Sequence, residues 1–97
     1  MTAISVGQFE WDAYKDEKNR EKHKITFEEA AEVFDAPYLR IRSDRGHEVR
    51  WIALGVSRGR VIAVIYTQRG DRIRIISARR ARTDERESYK KIIGNGS

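Results

Sequence analysis

No segment of this chain is harder to place than Val61-Ile62-Ala63-Val64-Ile65. Successive strand residues point to opposite faces, so a strand that is apolar at every position needs cover on both sides. Residues 60–68 therefore read as a strand in the middle of a sheet. Turn signals bracket it, Ser57-Arg58-Gly59 before and Arg69-Gly70-Asp71 after, so residues 48–56 and 72–79 become its antiparallel neighbours. Residues 38–42, joined through Asp44-Arg45-Gly46, add a fourth strand.

Helical signals flank this meander. Phe9-Glu10-Trp11 reads as a short strand or an anchoring turn, after which Asp12 caps a helix running to about His23. That helix is very polar, with Asp16 and Arg20 at i,i+4 and a thin apolar side of Trp11 and Tyr14. Thr26-Phe27-Glu28-Glu29 is a capping box, and Phe27, Ala30, Ala31 and Phe34 follow at helical spacing. Asp35-Ala36-Pro37 ends that helix, because a residue before proline is pushed out of the helical region. Thr83, with Asp84 and Glu85 at its positive end, starts a last helix striped by Tyr89, Ile92 and Ile93. The expected fold is α+β: two N-terminal helices, a four-stranded mostly antiparallel sheet and a C-terminal helix, with the helices grouped on one face. At 97 residues the chain reads as one domain, 1–97, with 1–7 and 94–97 as loose ends.

Several function classes fall away. There is no cysteine, so thiolate metal sites and a cysteine nucleophile are excluded. Residues 1–7 lack the apolar region of a signal peptide, and no apolar run approaches the ~18 residues of a membrane helix. A cytoplasmic protein without membrane association is expected. Two histidines and scattered acids form no metal-ligand pattern, and no phosphate-cradling or dinucleotide glycine motif occurs. Ser77 lacks the glycines of a nucleophile elbow. No cofactor is expected.

The net charge of +5 is unevenly spread. Between Arg40 and Arg82 stand twelve arginines, no lysine and three acids (Asp44, Glu48, Asp71), a net of +9. The remainder, with eight basic and twelve acidic residues, carries −4. Guanidinium forks bind phosphate bidentately and stack on bases, so a polyanion is the expected partner, against the alternative of a merely solvated arginine-rich face.

Alternation places Arg72 and Arg74 opposite Ile73 and Ile75, and Glu48 and Arg50 opposite Val49 and Trp51. If Ile73 and Val49 face the helices, Arg50, Arg72 and Arg74 line the free face with Glu48 among them. Cations there hold phosphates, and a carboxylate or histidine moves protons. Glu48 either takes part in that chemistry or neutralises its arginine neighbours. His23, in Lys22-His23-Lys24, is either a general acid or base or a helix C-cap; His47 reads as turn surface. Tyr66 either stacks a base or packs.

Taken in order, several segments resemble the BrnT toxin family. They are Phe9-Glu10-Trp11-Asp12 with Lys15, Asn19 and Lys22-His23; Phe27-Glu28-Glu29-Ala30 and Val33-Phe34-Asp35; Glu48, Arg50 and Gly55; and Arg74-Ile75-Ile76-Ser77-Ala78-Arg79 with Ala81, Glu85-Arg86 and Tyr89. Lys24 departs from the resemblance, because the family carries glycine there and a lysine strains a left-handed conformation. The resemblance implies a RelE-like fold and a ribonuclease that blocks translation. It also implies a cognate BrnA-like antitoxin, promoter DNA contacted only through that antitoxin, and a toxin homodimer within a heterotetramer. Carried onto this chain, it implies metal-independent cleavage with Glu48, Arg50, Arg74, Arg79 and His23 as catalytic candidates. Lys22, Arg58, Arg72 and Tyr66 are candidates for holding RNA. The competing reading is a non-catalytic module whose arginine face binds nucleic acid or an acidic protein.

Overall fold

The computed structural model describes residues 3–94. Six strands form one sheet in the order β1-β2-β6-β5-β4-β3 among these residues. They are β1 (Ala3–Val6), β2 (Phe9–Asp12), β3 (Leu39–Arg42), β4 (Trp51–Ser57), β5 (Arg60–Arg69) and β6 (Arg72–Arg80). The helices are α1 (Ala13–His23), α2 (Phe27–Ala31) and α3 (Thr83–Ile92), with a 3-10 turn at Glu32–Asp35.

β5 lies inside the sheet, antiparallel to β4 and β6, as its two-sided apolar run requires. Its faces meet different cover. Ile62, Val64 and Tyr66 join the main core with Trp11, Ile25, Phe27, Ala30, Val33, Ala53, Ile75 and Ala78 beneath α2. Ala63 turns the other way and packs with Leu54 and Ala81, flanked by Leu39, Ile52, Val61 and Tyr89. Tyr89 belongs to α3, so α3 covers the face opposite α2, and the expectation of helices on a single face is corrected. A second apolar surface on β4 and β5 demands that second cover.

The sheet has six strands rather than four. Residues 3–6, expected as a loose end, pair antiparallel with β2, and β2 pairs in parallel with β6 at Phe9–Ile73 and Glu10–Arg74. Phe9 and Trp11 supply the apolar alternation that seats β2 against the core. At the other end, Gly94 is described, and the rest of the expected loose tail, 95–97, lies outside the described residues, as do residues 1–2. The strand expected over 48–56 begins only at Trp51, leaving Val49 42 % exposed rather than facing the helices.

The caps mostly follow the expected logic. The Tyr14 amide donates to Asp12 Oδ1 (3.0 Å) and the Glu29 amide to Thr26 Oγ1 (3.1 Å). The Thr26 hydroxyl then donates to the Glu29 carboxylate at 3.3 Å, so Glu29 bonds the hydroxyl of Thr26. Asp16 does not serve Arg20; its carboxylate accepts the Phe27 amide at 2.8 Å and ties α1 to the start of α2. The last turn before Pro37 tightens to 3-10 geometry, letting Phe34 pack edge-on to Tyr66 and Tyr38.

Candidate RNA-binding cleft

The geometry of the free face depends on one irregularity. The register between β5 and β6 shifts between Ile65 and Tyr66: Ile65 pairs with Ser77 but Tyr66 pairs with Ile75, leaving Ile76 as an extra residue. Uninterrupted alternation from Ile73 and Ile75 would send Arg79 toward the helix-covered core. The bulge reverses the phase, so Ala78 enters the core and Ser77 and Arg79 join Arg74 on the free face. Simple period-two reading cannot find this, because it assumes an unbroken ladder.

α1 completes the site at the edge of β6 that β2 leaves unpaired. Asn19, 7 % exposed, stands in for a strand there. Its amide nitrogen donates to the carbonyls of Ala78 and Ile25 (2.9 Å each), and its carbonyl accepts the Ala78 amide at 3.1 Å and the Ser77 hydroxyl at 3.2 Å. Among the sequence motifs, only the family resemblance points to Asn19. Its role had a sequence signal, however: a lone amide in a highly charged helix, set between Lys15 and Lys22.

Two clefts open on either side of this bulge. One, of about 270 Å³, is lined by Tyr14, Lys15, Lys18, Asn19, Lys22, His23, Ile76 and Ser77. The other, of about 440 Å³, is lined by Ser43, Asp44, Arg45, Arg50, Ile65, Ile76 and Ser77. Ile76 and Ser77 line both, so the two clefts adjoin at the bulge, a channel-like pair between the cationic side of α1 and the β3–β4 hairpin.

The predicted site residues divide around this channel. Lys22, His23 and Arg50 line it. Glu48 lies in the hairpin loop and accepts from Arg50 Nε, an exposed pair that keeps the guanidinium beside the channel. The Arg50 amide donates to Asp44 Oδ1 (3.2 Å), and Arg42 Nε donates to the same oxygen (2.7 Å), holding the Asp44 carboxyl below its ordinary range. Arg79 is clamped bidentately by Glu85 of α3 at 2.7 and 3.0 Å. That pairing raises the Arg79 pKa and lowers that of Glu85. Arg79 remains close enough to act on His23. Partial burial first, then the positive charges of Lys22 and Arg79, push the imidazole below its ordinary value of 6.5. His23 is therefore neutral at pH 7 and able to accept a proton.

Other candidates are not brought together. Arg74 reaches the free face but donates to Glu10 at 2.9 Å, which Arg69 also approaches at 3.6 Å. Arg72 donates to the Gly7 carbonyl near the start of β6, roughly 20 Å along the strand from Arg79. Arg58 sits in the β4–β5 turn, where it pairs with Glu32 on the helix-covered side. Tyr66 is 2 % exposed in the core against Phe34, so stacking an RNA base there is ruled out and packing is its role. Among the described residues no three His, Cys, Asp or Glu side chains are grouped to hold a metal ion. No helix among them is long and apolar enough to cross a membrane.

A sheet covered on one face by α2 and only partly by α3 on the other, where arginines and lysines line open clefts with a neutral histidine in their wall, defines a small α+β domain suited to a polyanion. The comparison with known families makes this specific. Residues 11–85 match the model of the ribonuclease toxin BrnT of type II toxin–antitoxin systems. The chain belongs to this family, within the RelE-like superfamily, and functions as the ribonuclease toxin of such a pair. No curated protein matches it.

Proposed function

We propose that this toxin cuts RNA without a metal ion, by attack of the 2′-hydroxyl on the adjacent phosphate, in the channel that crosses Ile76 and Ser77. The observation that carries this reading is the convergence of a neutral His23 with Lys22 on one wall and Arg50 on the other. In this mechanism His23 takes the 2′-hydroxyl proton as the oxygen attacks phosphorus. Arg50 and Arg79 stabilise the charge that builds on the non-bridging oxygens, and Lys22 holds the neighbouring phosphate. The bond from phosphorus to the 5′-oxygen breaks, that oxygen takes a proton from solvent, and a 2′,3′-cyclic phosphate remains. Glu48 orients Arg50 and is a positioning residue.

The same reading treats residues 1–97 as one domain working in the cytoplasm, where translated RNA is found. A cognate BrnA-like antitoxin neutralises it, and promoter DNA is contacted only through that antitoxin, in a heterotetramer built on a toxin dimer. The decisive assay incubates the purified protein with mixed single-stranded RNA, with and without EDTA, and identifies fragment ends by mass spectrometry. Cleavage that survives EDTA and leaves 2′,3′-cyclic ends is expected. Cleavage abolished by EDTA, or leaving 3′-hydroxyl ends, would overturn the mechanism. If free RNA stays intact, repeating the assay on translating ribosomes decides whether the toxin needs them.

A further inference from the structure

Tyr14 is an aromatic side chain out of place. It is 58 % exposed, the highest value for an aromatic residue among the described residues, although Tyr66 and Trp11 are buried and Phe9, Phe34 and Tyr38 pack on the core. It stands in the first turn of α1, where its amide is fixed by Asp12, so its backbone is held rigid. Residues 15, 18 and 22 follow at helical spacing, and all three lysines line the same cleft as Tyr14, leading to His23, Ile76 and Ser77. The side chains of Lys15 and Lys22 have no hydrogen-bond or ion-pair partner among the described residues, and Lys18 only approaches Glu21 at 3.9 Å. Half of the molecule's fourteen arginines are engaged by carboxylates, whereas Lys15 and Lys22 are not.

We propose that this face of α1 is a subsite for single-stranded RNA: one unpaired base stacks on Tyr14 while Lys15, Lys18 and Lys22 carry the adjoining phosphates toward His23. The inference rests on the reading of the channel as the cleavage site and adds the path by which substrate reaches it. An exposed ring beside a row of cations is the combination that single-strand binders use, because every base has a face to stack and every nucleotide a phosphate to hold. Lys18 lies 5.4 Å from the Tyr14 ring centre, an exposed contact weak enough to yield to a base and free the ammonium for phosphate. Tyr14 and His23 are nine residues apart on one helix, roughly 13 Å along its axis, so the subsite engages a base a few nucleotides from the bond that breaks. A duplex cannot use it, since its bases are already stacked on each other.

The test measures binding apart from cleavage, by fluorescence anisotropy of a labelled 2′-O-methyl oligonucleotide that cannot be cut. Tyr14→Ala is expected to weaken binding about 5- to 20-fold and Tyr14→Phe less than 2-fold, the signature of stacking. Lys15→Gln with Lys18→Gln is expected to weaken binding and flatten its salt dependence. Lys90→Gln with Lys91→Gln, on α3, is expected to change neither. The same oligonucleotide annealed to its complement as a blunt-ended duplex is expected to show no difference between wild type and Tyr14→Ala. Wild-type binding that is undetectable, or unaltered by Tyr14→Ala and by the lysine pair, overturns the subsite. Weakened binding in these variants, together with full cleavage by His23→Gln, keeps the subsite and overturns the reading of His23 as the base.

Discussion

His23 and Lys24 stand side by side and face opposite demands. His23 is held neutral by partial burial and by the charges of Lys22 and Arg79. A histidine with a lowered pKa stays an effective base to lower pH. The acid limb of kcat/KM against pH is therefore expected to fall below 6.5, and His23→Gln to reduce kcat/KM by about 10²- to 10⁴-fold with thermal stability unchanged. The same shift has a stability consequence. The unfolded chain takes up this proton more readily than the folded one, so His23 costs stability as pH falls below its ordinary value. Lys24 adopts φ 61°, ψ 30° at the end of α1, where its amide closes the turn onto the Arg20 carbonyl at 3.0 Å. A side chain in this left-handed conformation is strained, and glycine is not. Lys24→Gly is expected to raise stability by about 0.5–1 kcal/mol, read as an increased denaturation midpoint with cleavage retained.

α3 is attached by a thin apolar stripe and one strong polar clamp. Tyr89 packs on Leu54 and Ala63, while Glu85 receives both guanidinium nitrogens of Arg79 and also accepts the Arg82 amide at 2.8 Å. The pairing holds the Glu85 carboxyl below its ordinary pKa. Its contribution is thus complete above the unfolded value and disappears as pH falls through the folded one. Glu85→Gln is expected to lower stability by about 1–3 kcal/mol at pH 7 and by much less near pH 3, measured by urea titration at both pH values. The same clamp fixes the Arg79 guanidinium, whose charge acts on His23. The β6 bulge is the other device at this level, since without its extra residue Arg79 would turn toward the core.

Across the whole molecule, charge is separated by function. Acids on α2 and the 3-10 turn are spent on Arg58 and Arg60, and Glu10 on Arg69 and Arg74. Seven arginines in all are held by carboxylates, so the central segment presents far less free charge than its +9 suggests, while Lys15 and Lys22 of α1 have no such partner among the described residues. RNA affinity is expected to fall with salt at a slope of about −0.7 per phosphate engaged, and Lys22→Gln to reduce the slope by about that amount. Arg58→Gln, whose guanidinium faces the opposite side, is expected to leave the slope unaltered.

Most of the elements were legible in the residues themselves. The two-sided apolar run placed β5 inside the sheet, glycine turns set the hairpins, and Asp12 and Thr26 marked the helix starts, because capping and alternation are local properties. The family resemblance was legible too, since it rests on residue order. What local pattern could not supply was anything that depends on distant partners. Residues 3–6 become a strand only because β2 offers an edge. α3 takes the second face only because β4 and β5 leave apolar surface there. Tyr66 and Arg74 had to be seen among their neighbours before burial in the one case, and the Glu10 carboxylate in the other, could be recognised. Arg79 reached the free face through a single extra residue in a ladder, a register that hydrogen bonding between strands selects and that no residue encodes alone.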